Sequence, residues 1–488
     1  MSRFIQKLRR LPLGLLFLAW PLLGYSENAG NTDNTQNTQY ARMTEGSTVS
    51  SEADMVLVPM DSRTNLSVYE TLVFDLPIPM QEEFQGYTGL EEIDVFSLQP
   101  EDGLVEEQLL AIQHLESNIS EIEQTGGPWD LNLSENLVAM AELYEQQGAY
   151  DEAIDAYARA MHISRVNLGL DSLDHIPMAE HLVEAYLAKG DLASADQYQE
   201  YLYYTQSRVF GFEDPRIVPA LDRLASWKLK IFNAGFGEPL ALQLVSALRL
   251  YQAASNIVSH NFGNRDERYA KYLRDTAGTA FLVSRYKGLI DETPITEFRT
   301  IQERYPDGYR DYNVAFIEGY EEGLEALQLI ADSFAEEQHD SKEYAKALVH
   351  LADWYLLFDR QRSAESSYAE AYQVLSGQEN SAELIGELFG TVRPLPAFSD
   401  EIETIFIKST MEGREQVARA SGFVDVRFDV TQYGTATNLE VLTEENEINE
   451  RVISNLRRKV RATTFRPIVK DGEPVRSEGN QFRYRFVY

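Results

Sequence analysis

Residues 137–160 read LVAMAELYEQQGAYDEAIDAYARA. Apolar residues recur at helical spacing on both sides of Gly148, so the stretch describes two helices joined by a tight turn. Ala141, Ala153 and Ala160 are small enough to let those helices approach closely, and Tyr144 and Tyr157 fill the space between them. A second copy follows with Val183, Tyr186, Gly190, Leu192 and Ala195, its tyrosine 42 residues after Tyr144. A later copy has Ala352, Tyr355, Ala364, Tyr368 and Ala371, with Asp359 where the turn glycine stood. Between them, Leu240 to Ala335 keeps a helical period but loses the small-residue pattern. One such pair cannot bury its own apolar face, so the copies must stack.

This spacing resembles the tetratricopeptide repeat. The 42-residue period exceeds that family's usual ~34, and the extra length falls in Arg165-Val166-Asn167-Leu168-Gly169, echoed by Arg208-Val209-Phe210-Gly211 and Asn261-Phe262-Gly263. Such a connection resembles the longer units of the kinesin light chain type. The expected architecture is mainly α, a solenoid over residues 104–378 with about six helix pairs.

From Gly422 to the final Tyr488 the pattern changes. Phe423 to Val430 alternates apolar and polar residues, the period of a half-buried strand. Gln432-Tyr433-Gly434 supplies a turn, and Ala436 to Leu442 runs back as its partner. Glu450 to Thr464 is helical in period, and Phe465-Arg466-Pro467 ends that helix because the residue before proline is pushed out of the α region. The final strand places Phe482, Tyr484, Phe486 and Tyr488 on one face and Arg483 and Arg485 on the other. This β-β-α-β order, with F-R-P and D-G-x-P-V motifs, resembles the C-terminal domain of TonB. It covers 67 of 488 residues. The resemblance implies a small α+β domain in the Gram-negative periplasm that binds an incoming segment as an added strand. Residues 379–421 then read as a linker, with a composition shift near Ser421: 11 Lys/Arg against 10 Asp/Glu follow it, in a chain of net charge −35.

The N-terminus carries Arg3, Lys7, Arg9 and Arg10 ahead of an apolar run from Leu11 to Leu23 and the small residues Gly24 and Ser26. This is the layout of a secretory signal, residues 1–26, cleaved after Ser26, and it places the protein in the periplasm. Residues 27–103 begin as an Asn/Thr/Gln-rich linker. Val56-Leu57-Val58 and Thr71-Leu72-Val73-Phe74 are candidate short strands within them, interrupted by prolines and acids. The absence of cysteine excludes a disulfide framework, a thiolate metal site and a lipid-attachment cysteine. So strong an acidity disfavours nucleic acid and anionic membranes, both polyanions, as partners.

No H-E-x-x-H, Walker loop or G-x-S-x-G occurs, and none of the 78 acids is singled out by spacing. The seven histidines give no metal signature, and His175 and His181 read as surface or interhelix residues. The sequence therefore points to a non-enzyme with no cofactor, metal or small-molecule substrate. What the repeat resemblance implies instead is a groove lined by the first helix of each pair. Its positions here are Glu135, Val138, Glu142, Glu145 and Gln146, then Glu180, Glu184, Leu187 and Ala188, then Lys346, Val349, Asp353, Leu356 and Leu357. An acidic groove suits a basic or amine-bearing segment. The TonB resemblance implies a second surface, the last strand with Phe482, Arg483, Tyr484, Arg485 and Phe486, whose arginines favour an acidic peptide. The expected function is a periplasmic scaffold or adaptor for envelope proteins or peptides, accessory to a TonB-dependent receptor or another TonB-system component. The alternative is an atypical energy transducer that keeps its N-terminal anchor. Against the transducer stand the lack of a histidine before His114 and of a Pro-rich spacer, and the family's Tyr-Pro pair is replaced by the stretch from Ile407 to Ala420.

Overall fold

A computed structural model describes residues 73–74, 78–79, 102–237, 239–304, 317–335, 341–398, 421–443 and 450–487, all within one compact unit, Asp61–Tyr488. The expected signal segment and Val56–Val58 lie outside the described residues. No helix among the described residues is long and apolar enough to cross a membrane.

Two short strands, β1 (Val73–Phe74) and β2 (Ile78–Pro79), precede the helices. Helix α1 (Asp102–Gly126) packs on α2 (Asn132–Gln146), which pairs with α3 (Tyr150–Leu168). The next pairs are α4 (Ile176–Ala188) with α5 (Leu192–Phe210) and α6 (Val218–Asn233) with α7 (Ala241–Phe262). Then come α8 (Glu267–Arg285) with α11 (Tyr320–Ala335), and α12 (Ser341–Leu357) with α13 (Gln361–Ser376). The described residues thus hold five pairs and a leading helix, against about six pairs expected. The degenerate stretch is where α9 (Lys287–Glu292) and α10 (Ile295–Arg304) interrupt the α8–α11 pair.

The repeat residues do what their sizes suggested. Ala141, Ala153, Tyr157 and Ala160 are fully enclosed, as are Ala352, Tyr368 and Ala371 in the last pair. The turns inside the pairs share one geometry. Gly148 (φ 71°), Gly190 (φ 76°) and Asp359 (φ 58°) are all left-handed. The next N–H reaches back to the tyrosine carbonyl: Ala149 to Tyr144 at 2.9 Å, Asp191 to Tyr186 at 2.9 Å, Arg360 to Tyr355 at 2.8 Å. This bond closes the helix end, and aspartate takes the glycine position because its short polar side chain tolerates that conformation. Gly235 (φ 69°), with the Phe236 N–H on the Ile231 carbonyl at 2.9 Å, repeats the turn in a pair whose sequence pattern had faded.

Between pairs the chain uses a second device. Gly169 (φ 91°, ψ 174°), Gly211 (φ 89°, ψ 160°) and Gly263 (φ 86°, ψ 169°) end α3, α5 and α7 in a region that only glycine visits readily. Three residues on, Ser172, Asp214 and Asp266 each accept a bond from the N–H two residues further, starting the next helical segment. The echoes read in the sequence are these connections.

Past the repeats, residues 379–421 are more than a linker. They contain α14 (Ser381–Phe389) and β3 (Arg393–Pro394). The C-terminal module then has β4 (Ser421–Val430), β5 (Ala436–Val441), α15 (Glu450–Ala462) and β9 (Ser477–Val487) in the expected β-β-α-β order. Three short strands were not expected. β6 (Phe465–Arg466) pairs with β3, and β7 (Ile468–Lys470) with β8 (Glu473–Val475). The β7–β8 turn is Asp471-Gly472 with φ of 53° and 84°, the tight hairpin that a D-G pair favours. β6 also shortens the helix, which stops at Ala462 rather than Thr464. The main sheet is antiparallel in the order β1-β9-β4-β5, with β2 also on β9. Val424, Val426, Phe428 and Val430 face Val452, Leu456 and Val460 of α15 across a core closed by Phe482, Tyr484 and Phe486.

Gly211→Ala is expected to cost about 1–3 kcal/mol, because alanine is strained at that φ and ψ. Gly386→Ala, in α14 with open space at its Cβ position, should be neutral or stabilise by up to about 1 kcal/mol. Urea unfolding of both variants decides the matter, and equal effects would contradict the conformational account.

Candidate interaction surfaces

The first helices of successive pairs are tied to one another by side chains across the row. Glu145 on α2 meets His181 on α4 at 3.3 Å, and Glu180 on α4 pairs with Arg223 on α6. Asp222 on α6 meets Lys271 on α8 at 3.3 Å, and Arg274 on α8 meets Glu343 on α12 at 3.9 Å. Each pair is partly solvated and worth little alone, but together they set the order of the groove charges.

The expected groove acids therefore divide. Glu135, Glu142 and Glu184 are exposed and form no ion pair among the described residues. Glu180 is committed to Arg223. Glu145 is half-buried and accepts a bond from the Tyr157 hydroxyl at 2.9 Å. The His181 ring stacks on Tyr157 with centroids 4.9 Å apart. Burial, the Glu145 bond and the charges of Glu145, Glu142 and Glu184 all raise the pKa of that tyrosine, so three carboxylates converge beside one ring.

Asp353 is not a groove residue. It is fully buried, as is Val349, and Leu356 is nearly so, because α14 and the C-terminal module cover the last pair. Arg466, on β6, is buried against it: its Nε lies 2.9 Å and 3.2 Å from the two carboxylate oxygens, and Nη2 donates to one of them. The Tyr368 hydroxyl donates to Asp353 at 2.7 Å, and Arg466 Nη1 donates to the Leu388 carbonyl at 3.4 Å. Burial works against the Arg466 charge, but the Asp353 carboxylate outweighs it and holds the guanidinium above its usual pKa. Burial and the Asp353 charge push the Tyr368 hydroxyl well up. Burial, then the Arg466 charge, holds the neighbouring His350 well below 6.5.

Around this pair the module rests on the solenoid through its turns. A Cβ on Gly434, the glycine of the β4–β5 turn, would lie 3.1 Å from Leu356, and one on Gly472 3.8 Å from Tyr372 of α13. Val469 of β7 and Leu395 join Leu348, Tyr368 and Leu388 in one apolar cluster.

The last strand is not an open edge. β4 lies along one side of it. On the other, β1 pairs Val73 with Val487 and Phe74 with Phe486, and β2 pairs Ile78 with Arg483 and Pro79 with Phe482. Phe482, Tyr484 and Phe486 point into the module core, so they cannot meet a partner. Arg483 is held by Asp425 through bonds of 2.7 Å and 2.9 Å, which removes its expected pull on an acidic peptide. Arg485 lies on the same outward face, half-buried.

His175, expected at the surface or between helices, lies between helices and is buried, as is His350. His175 bonds the Tyr201 hydroxyl at 2.8 Å, with its pKa lowered by burial and by Arg165; His350 sits beside Arg466. Sequence reading missed the role of Arg466. The signal was present, since an arginine between Phe465 and Pro467 interrupts an apolar run. It also missed Lys228, nearly enclosed between Asp196 at 2.9 Å and Glu200 at 2.7 Å, where α6 meets α5.

No family model matches the chain, and no curated protein matches it either. Among solved structures it is similar to a Podosopora anserina protein of kinesin light chain type with nearly identical TPR-like repeats. That likeness is at 14% identity over 51% of this chain and 96% of that one, with a TM-score of 0.30. It is also similar to BtubC (BKLC) from P. vanneervenii at 13% identity, 56% and 93% coverage and a TM-score of 0.26. Superpositions this loose carry no weight beyond themselves. The helical-repeat architecture rests on the paired helices and their glycine connections.

Asp353→Ala should destabilise the chain by about 3–5 kcal/mol, since it strands a buried cation. Asp353→Leu combined with Arg466→Met should recover most of that loss. Denaturant titration measures both, and a double variant no better than the single one would show that packing, not charge, carries the contact. Both His350 and His175 take up a proton less readily in the fold than in the unfolded chain, His350 by much the more, so the unfolded chain binds more protons as pH falls below 6.5. Their contribution is complete above pH 6.5 and is lost as pH falls beneath it. Melting temperature should therefore drop less between pH 7.5 and 5.5 in His350→Gln than in the unaltered chain.

Proposed function

We propose that this chain is a protein–protein interaction scaffold of the Gram-negative periplasm. Its repeat face takes up an extended basic segment, and its C-terminal module, which resembles the TonB C-terminal domain, offers a second surface for an extended strand. One observation carries the repeat-face reading. Glu135, Glu142 and Glu184 stay exposed and form no ion pair among the described residues, while Glu145 accepts a bond from the Tyr157 hydroxyl and Glu180 pairs with Arg223. Charge left unpaired on an ordered helical row attracts and orients an oppositely charged segment.

Arg466 and Asp353 set the module against the last helix pair, so the two surfaces lie within one compact unit. An adaptor built this way holds two partners at a set separation. The residues ahead of Glu27 supply the envelope address, and the TonB resemblance supplies the candidate partners: a TonB-dependent receptor or another component of that system. The reading includes no nucleic acid and no small-molecule substrate.

Glu142→Lys combined with Glu184→Lys should abolish capture of basic partners from a periplasmic extract in a crosslinking pull-down. The unaltered chain's capture should weaken as salt rises from 0.05 to 0.5 M, about the range over which exposed charges become screened. Undiminished capture by the double variant would exclude the acidic face as the binding surface.

A further inference from the structure

Helix α15 is a basic element in an acidic chain. Arg451, Arg457, Arg458, Lys459 and Arg461 stand on it against a single acid, Glu450, while the whole chain carries a net charge of −35. Val452, Ile453, Leu456 and Val460 form its buried face. Arg451, Ser454, Arg458 and Arg461 fall outside that face and are exposed. Arg458 and Arg461 form no ion pair among the described residues. They are one turn apart, so their side chains leave the helix about 5–6 Å from each other. The contacts that seat the module on the solenoid, at Arg466 and at the turns of Gly434 and Gly472, lie on other elements.

We propose that the exposed row of α15 docks on the acidic first-helix row of a second copy of this chain. The proposal rests on the reading of the repeat face as a surface for basic partners, and it names the partner. Charge complementarity selects it. Glu142 on α2 and Glu184 on α4 are exposed and lie beside the same Tyr157 ring, so two carboxylates from adjacent helices face outward together. Two guanidinium groups one turn apart suit such a pair, since each can fork onto a carboxylate. Glu135 lies two turns before Glu142, as Arg451 lies two turns before Arg458, a rise of about 10 Å in both helices. Helices laid side by side in one direction therefore bring the rows into register.

The rows of a single chain do not meet. Arg466 anchors the module on α12, and α6 and α8 stand between α12 and α4 at about 8–10 Å per packed helix. An anionic membrane suits α15 less well, because the rest of so acidic a chain is repelled by it. Each copy carries one row of each sign, so the contact is head-to-tail. One helix face against two helices buries less than the ~1,200 Å² of a stable interface, so the association is weak and sensitive to salt.

Sedimentation velocity of the full chain tests this. Its mean mass should rise with concentration in about 0.05 M salt and return to that of the monomer in about 0.5 M. Arg458→Glu combined with Arg461→Glu should weaken association by about tenfold or more, and so should Glu142→Lys combined with Glu184→Lys. All four residues are exposed, so neither variant is expected to unfold. Mixing the two variants restores opposite charges across the contact and should restore association. A mixture that stays monomeric, or an arginine variant that associates like the unaltered chain, overturns the assignment to α15. A fluorescent lysine decapeptide reports on the repeat face alone. A chain that is monomeric throughout but binds the decapeptide through Glu142 and Glu184 overturns the second copy as partner and leaves the repeat-face reading standing. A monomeric chain that does not bind the decapeptide overturns both. Binding to phosphatidylglycerol vesicles that is lost in the arginine variant, without self-association, assigns α15 to an anionic surface instead.

Discussion

A guanidinium and a carboxylate buried together join the two halves of this chain. Burying either charge alone costs several kcal/mol, so Arg466 and Asp353 hold their places only because each satisfies the other, with Tyr368 and the Leu388 carbonyl taking up remaining hydrogen-bonding capacity. The contact works as a lock more than as a source of stability, since a well-packed apolar pair of the same volume would be comparably stable. It gains direction in return. The planar arginine fork accepts a carboxylate in few orientations, so the module meets α12 and α13 in one pose, with its turn glycines against their side chains.

The rest of the interaction surface follows from that pose. Covering the last pair removes Val349, Asp353 and Leu356 from the groove, so the acidic face is confined to the earlier repeats. There the ladder from Glu145 to Glu343 ties each first helix to the next and selects which acids remain open. At the other end of the module, β9 faces β4 on one side and β1 and β2 on the other. Two short strands that precede the solenoid thereby share one sheet with the last strand of the module that follows it.

Local pattern reached far into the fold. Gly148, Gly190, Gly169 and Gly211 were readable because each answers a backbone need that few other residues meet. The alternation from Phe423 to Val430 and the face of Phe482, Tyr484 and Phe486 were readable because strand period needs no knowledge of the partner. The α8–α11 pair was blurred, since α9 and α10 break the spacing on which the pattern depends. Of the candidate site, Glu135, Glu142 and Glu184 stand exposed where the repeat spacing put them, whereas Asp353 and the β9 edge do not.

By itself the sequence determined the clearest helix pairs, their two kinds of connection and the β-β-α-β order of the main elements in the C-terminal module. All of these follow from short-range sterics and apolar period. Tertiary structure alone decided that Asp353 is a buried anchor rather than a groove acid, because its partner stands 113 residues away. It alone decided that the last strand is already paired, because an edge becomes an edge only when the whole sheet is assembled. An aspartate on a helix and an alternating strand read the same in either setting. What differs is the surface that comes to lie against them.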